Sequence, residues 1–237
     1  MACADGTDLA RRAARLFLDR LGAKPELAVA VPAGRTPRAT YALLRERHAG
    51  DPSTFGRLRV FAVDELLPPA PPDGYFWRQI RSEFLAWAGI PAEQLHPFSV
   101  DAPDADAMCR EYEARIRAAG GLDLVMLGLG PNGHLASNEP GSPFDSVTRV
   151  VDLLPSTVRY ILTDEVIQGP VSPRAVTLGL ATILEAREVV VLVSGAGKQA
   201  ALAAALEGPV TPDVPASVLR LHPRCSILAD RAGLGKP

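Results

Sequence analysis

Four short apolar segments, residues 27–32, 58–63, 122–127 and 189–194, constrain this chain more than any other feature. They lack the apolar–polar alternation of a half-exposed strand, so each reads as a strand covered on both faces. The stretches between them carry helical spacing. Leu9, Ala13, Leu16, Phe17 and Leu21 fall on one helical face, and further helices are predicted over residues 37–48, ending near Gly50, and over 76–88, 105–119, 175–184 and 199–207. A last short strand is expected at 226–229, and a loop containing Pro68, Pro69, Pro71 and Pro72 precedes the helix at 76. Buried strands alternating with helices imply an α/β fold: a Rossmann-like, open, mostly parallel sheet with helices on both faces. No repeat, low-complexity tract or long linker divides the chain. Residues 1–237 therefore read as one domain.

Composition narrows the function classes. A hydrophobic fraction of 47% with 22% charged residues describes a soluble globular protein. A net charge of −2 gives no reason to expect nucleic acid or an acidic membrane as partner. Cys3, Cys109 and Cys225 are scattered and odd in number, which fits a reducing cytoplasm without a disulfide framework. No metal-ligand spacing is visible. Asp5, Asp8, Arg11, Arg12, Arg15, Asp19 and Arg20 argue against a secretory signal, and no apolar run approaches the ~20 residues that span a bilayer. A homo-oligomer is left open.

Parallel strands bring their carboxyl ends to one edge, where ligands bind in open α/β folds. Four such ends carry polar or glycine-rich segments. The first, Pro32-Ala-Gly-Arg-Thr-Pro37, opens a helix whose free N–H groups suit a phosphate, with Gly34, Arg35 and Thr36 around it. The plainer alternative makes Thr36 only a cap before Pro37. The second, Val63-Asp-Glu65, sets two adjacent carboxylates in different directions, either one as general base with the other for structural hydrogen bonds, or both as solvated acids starting a loop. The third, residues 122–141, is a mostly apolar run ending in glycines, followed at once by Asn132, His134, Asn138 and Glu139. A histidine titrates near neutrality, and a neighbouring carboxylate can orient it and hold its proton. Ser137 and Ser142 stand close by, but no nucleophile-elbow pattern surrounds them. The fourth, Ser194-Gly-Ala-Gly-Lys198, lacks the Walker A spacing; Lys198 either adds a point charge to the same phosphate or is a solvated lysine at a helix start. From chemistry alone these groups suit proton transfer on a small phosphorylated molecule.

The segment Gly128-Leu-Gly-Pro-Asn-Gly-His-Leu-Ala-Ser-Asn-Glu-Pro-Gly141, followed by Ser146-Val-Thr-Arg149, resembles the signature of glucosamine-6-phosphate deaminases. The resemblance extends to Gly34-Arg-Thr-Pro37, Val63-Asp-Glu65, Ala175-Val-Thr-Leu-Gly179, Glu185-Ala-Arg-Glu-Val189, Glu207-Gly-Pro-Val-Thr-Pro212, Pro215-Ala-Ser217 and Leu221-His222. Asp64-Glu65, His134-Leu-Ala-Ser137 and Asp230-Arg-Ala232 also look like the sister 6-phosphogluconolactonases, which share the fold.

The resemblance implies that Asp64 moves a proton between C2 and C1 of an amino sugar phosphate, through an enediol-like intermediate. His134, with Glu139 and Asn132, would open the sugar ring, and Gly34, Arg35, Thr36 and Lys198 would hold the phosphate. Glucosamine 6-phosphate and water would give fructose 6-phosphate and ammonia, with no metal or organic cofactor. The alternatives are a sugar lactone hydrolase, in which His134 activates water, and a non-catalytic sugar-phosphate sensor. Departures from the pattern are Ser137 and Leu66 in place of aromatic residues, and a lid region, about 156–173, without its usual arginine. Thr163 falls near that place, so Arg159 or Arg174 is expected to substitute. These departures imply a roomier pocket with graded discrimination between amino sugar epimers.

Overall fold

The apolar segments form the centre of a seven-stranded sheet. The computed structural model describes residues 1–71, 73–165 and 167–236, so Pro72 of the proline-rich loop lies outside the described residues. Its strands are β1 (Ala2–Cys3), β2 (Ala28–Val31), β3 (Arg59–Ala62), β4 (Asp64–Leu66), β5 (Leu95–His96), β6 (Leu124–Gly128), β7 (Arg149–Asp152), β8 (Arg174–Thr177), β9 (Val189–Val193) and β10 (Cys225–Asp230). The order in the large sheet is β1-β10-β9-β6-β2-β3-β5, and each pairing is parallel. Every residue of β2 and β9 is buried, as continuously apolar strands demand.

The helices are α1 (Gly6–Ala23), α2 (Arg35–Gly50), α3 (Phe76–Ile80), α4 (Ala86–Ala88), α5 (Ala105–Ala118), α6 (Pro155–Ile161), α7 (Leu180–Leu184) and α8 (Gln199–Glu207). A π-helical stretch, Arg81–Leu85, joins α3 to α4, so the helix expected over 76–88 is continuous but widened in its middle. In α1 the side chains of Leu9, Ala13, Phe17 and Leu21 are buried, and Asp5 caps the first turn by accepting the Asp8 N–H at 2.8 Å. No helix among the described residues is long and apolar enough to cross a membrane.

The expected α/β architecture is present, with two local corrections. Residues 175–184 are not one helix: Arg174–Thr177 is strand β8, and only Leu180–Leu184 is helical. The β-branched Val176 and Thr177 pair with β4 on one side and β7 on the other in a small antiparallel sheet, which overrides the helical spacing of the apolar residues. The strand ending in Asp64 and Glu65 likewise stops at Ala62, and Asp64–Leu66 crosses into that small sheet, with Asp64 opposite Thr177.

Strand order locates the ligand crevice. From β2 the sheet grows outward through β3 and β5; β6 then returns to the other side of β2, and β9, β10 and β1 extend that half. The order therefore reverses between β2 and β6, and the loops leaving their carboxyl ends diverge there.

Candidate active site

A pocket with about 910 Å³ of empty space, its open mouth included, lies in that crevice. Gly34, Arg35 and Thr36 after β2, Asp64 after β3, His134 after β6 and Lys198 after β9 all line it. One face of α6 and the turn after it add another wall, where Thr157, Tyr160, Ile161 and Asp164 recur at helical spacing.

At one end, Gly34 adopts φ 99°, which only glycine tolerates without strain, and caps α2. Thr36 is therefore the second residue of the helix rather than its cap. The buried Gln79 holds the Gly34 peptide from both sides: its Oε1 accepts the Gly34 N–H at 3.2 Å, and its Nε2 donates to the Gly34 carbonyl at 3.1 Å. Opposite, Asp230 fixes the loop before Lys198 by accepting from the Ser194 hydroxyl and from the N–H groups of Gly195 and Gly233. Lys198 is only 9% exposed, so it is not a solvated lysine. Burial lowers its pKa most, contact with Tyr160 opposes this, and the Arg35 charge adds to the lowering. Buried or flanking cations at a helix start form a site that favours an anion.

At the other end, Asp64 and Glu65 point apart. Glu65 is buried and accepts four backbone N–H groups: Leu66, Tyr75 and Phe76 on Oε1, at 2.9, 2.9 and 3.0 Å, and Trp77 on Oε2 at 2.7 Å. It is the structural carboxylate of the pair. Asp64 faces the pocket, and desolvation raises its pKa to about 6 against the hydrogen bond that Ser137 Oγ donates to Oδ2 at 2.7 Å.

His134 lines the same pocket. Gly130 makes room for it, because a Cβ there would stand 2.3 Å from the imidazole. Burial lowers the pKa of His134 to about 4, with Glu139 opposing and Lys198 assisting, so the ring is neutral at pH 7. Its Nδ1 has no hydrogen-bond partner among the described residues and lies 3.8 Å from Glu139 Oε2. Asn132 Nδ2 donates to the same oxygen at 2.8 Å, and Asn132 Oδ1 accepts the His134 N–H at 3.2 Å. Glu139 Oε1 accepts the Leu154 N–H at 3.1 Å, just before α6. Asn132 and Glu139 thus stand behind His134 rather than on the pocket wall.

Other readings of the sequence change. Asn138 is fully buried and structural, donating to the Leu135 and Leu178 carbonyls and accepting from Arg149. Leu66 does not enlarge the pocket, because it is buried against Tyr75, Leu153, Ile167 and Ala175. Arg159 and Arg174 are exposed and neither lines the pocket; Arg174 faces Asp152 at 3.8 Å. Sequence reasoning passed over Tyr160, Gln79 and the Ser137–Asp64 contact. Pro155, a first-turn proline ahead of Thr157, Tyr160 and Ile161, was the available signal for α6.

Comparison with known proteins places these features in context. The family model described as glucosamine-6-phosphate isomerases/6-phosphogluconolactonase matches residues 4–227. The chain is 35% identical over 228 residues to a glucosamine-6-phosphate deaminase of Shouchella clausii, covering 94% of this chain and 91% of the relative. It is 37% identical over 235 residues to one of Rhodopirellula baltica, covering 96% and 91%. Among solved structures it is similar to a monomeric glucosamine-6-phosphate deaminase, with a TM-score of 0.91 and 30% identity over 100% of this chain and 99% of that one. It is also similar to 6-phosphogluconolactonase from Trypanosoma brucei, with a TM-score of 0.77 and 26% identity over 99% and 97%.

Proposed function

The chain belongs to the glucosamine-6-phosphate isomerase/6-phosphogluconolactonase family, and from that membership we propose that its pocket converts glucosamine 6-phosphate and water to fructose 6-phosphate and ammonia. The observation that carries this reading is that Asp64 and His134 share one pocket with Arg35 and Lys198. Both a proton-transfer pair and a phosphate anchor are therefore within reach of one small substrate.

Arg35, Lys198, Thr36 and the free N–H groups opening α2 hold the phosphate, which sets the sugar at a fixed distance from the strand ends. Neutral His134 can take the proton of the anomeric hydroxyl while the ring oxygen gains one, opening the ring. Glu139, steadied by Asn132, faces Nδ1 and stabilises the imidazolium formed in passing. In the open chain, Asp64 removes the proton on C2 and returns it to C1. C2 is oxidised and C1 reduced within one molecule, so electrons balance without an external carrier. The resulting C2 imine adds water and expels ammonia, leaving the ketose. A carboxyl with a pKa of about 6 is ionised at pH 7 yet basic enough to take the proton.

A sugar lactone hydrolase, with His134 activating water, is the competing reading within the same family. Product analysis on glucosamine 6-phosphate and on 6-phosphogluconolactone separates them. Ammonia and fructose 6-phosphate in equal amounts are expected, with slow or no lactone opening; the reverse preference would overturn the deaminase reading. A sensor would turn over neither. A cytoplasmic setting suits such a substrate, and the unpaired Cys3, Cys109 and Cys225 fit it.

A further inference from the structure

The ring of Tyr160 carries two cations at once. Lys198 Nζ lies 4.3 Å and Arg35 Cζ 5.0 Å from its centroid, inside the ~6 Å range of cation–π attraction. These are the cations assigned to the phosphate under the proposed function, and the role of Tyr160 rests on that assignment. Tyr160 is half-buried on the pocket face of α6. Both ends of that helix are tied down: Glu139 accepts the Leu154 N–H before it, and Arg38 Nη2 binds Asp164 at 2.6 Å after it. The ring is therefore placed against the cations by its element, not by a chance rotamer.

Two like charges held close together repel unless something negative lies beside them. In this pocket the negative face of an aromatic ring does so; burial raises the pKa of its phenol, and contact with Lys198 and then Arg35 lowers it by more. We propose that Tyr160 is a specificity-determining residue of the phosphate subsite, its ring holding the place of the anion against Arg35 and Lys198 until a phosphate displaces it. A phosphate dianion meets both cations with full charge and wins that exchange. A sugar hydroxyl offers less than the ring does and leaves Tyr160 where it is. The lid thus contributes an aromatic competitor where the family pattern has an arginine.

Calorimetric titration with inorganic phosphate tests this without any turnover. Tyr160→Leu removes the ring's π face while keeping apolar bulk, and should bind phosphate at least threefold tighter than wild type. Tyr160→Phe keeps the ring and should bind within threefold of wild type. A smaller gain, no change or weaker binding in Tyr160→Leu would overturn the proposal. So would a change above threefold in Tyr160→Phe, which would assign the work to the hydroxyl. Thermal melting without phosphate checks that both variants are folded. Lys198→Ala is the separate control: if it binds phosphate as well as wild type, the phosphate subsite itself is misassigned and the proposed function fails, whatever Tyr160 does.

Discussion

At neutral pH Asp64 is charged in a place that disfavours charge. Its carboxyl has a folded-state pKa of about 6, above the ordinary 3.8, because desolvation outweighs the Ser137 hydrogen bond. A carboxyl raised in this way costs stability in full above pH 6, and that cost shrinks as pH falls from about 6 to the ordinary 3.8, below which both states are protonated. Asp64→Asn should therefore melt higher than wild type at pH 7, by about 2–4 °C for each ~1 kcal/mol relieved, and the gap should close by pH 4. Scanning calorimetry at the two pH values checks the sign. Removing the Ser137 donor leaves desolvation unopposed, so Ser137→Ala should move the acid limb of kcat/KM from about pH 6 to higher pH. A pH–rate profile with an unmoved limb would show that Ser137 does not act on the base. That contact was not legible in the sequence, where Ser137 reads as a missing aromatic side chain. Nothing in residue spacing reveals that residues 64 and 137 meet.

At the scale of elements, the parts legible in the sequence were those with local causes. Buried strands announce themselves as unbroken apolar runs, and the functional groups just past 31, 62, 128 and 193 follow from parallel strands sharing an edge. The small sheet was not legible. Its strands are three or four residues long and pair across large sequence separations, as Asp64 does with Thr177. Glu65 joins this sheet to α3 by taking up the N–H groups of Leu66 in β4, of Tyr75 just before α3, and of Phe76 and Trp77 in its first turn. Glu65→Gln sets an amide NH₂ against some of those donors and should destabilise the fold by about 1–3 kcal/mol. Urea unfolding measures this directly. An unchanged midpoint would mean that water replaces the carboxylate at little cost.

For the whole molecule, the reversal of strand order between β2 and β6 is what assembles the site. One half of the sheet delivers Gly34–Thr36 and Asp64, and the other delivers His134 and Lys198. The opposite, amino edge of the sheet is tied by ion pairs instead: Lys24 and Arg187 on Asp123, and Arg20 and Arg224 on Glu188. Under the proposed function phosphate would bridge loops from both halves, so it should stabilise the fold as a unit, by about 2.7 kcal/mol at a hundred times Kd. Thermal shift with inorganic phosphate should show this in wild type and lose it in Lys198→Ala. The fold was legible at this scale because the strand pattern leaves few topologies, whereas the wall that α6 adds to the pocket depends on where that helix lies in space. The deaminase reading is tested most directly by the rate of ammonia release from glucosamine 6-phosphate by wild type and Asp64→Asn. Wild type should release ammonia steadily at pH 7, and the variant should lose ~10²–10⁴-fold in rate with phosphate binding retained. Near-equal release by the two proteins, or none by wild type, would contradict that reading.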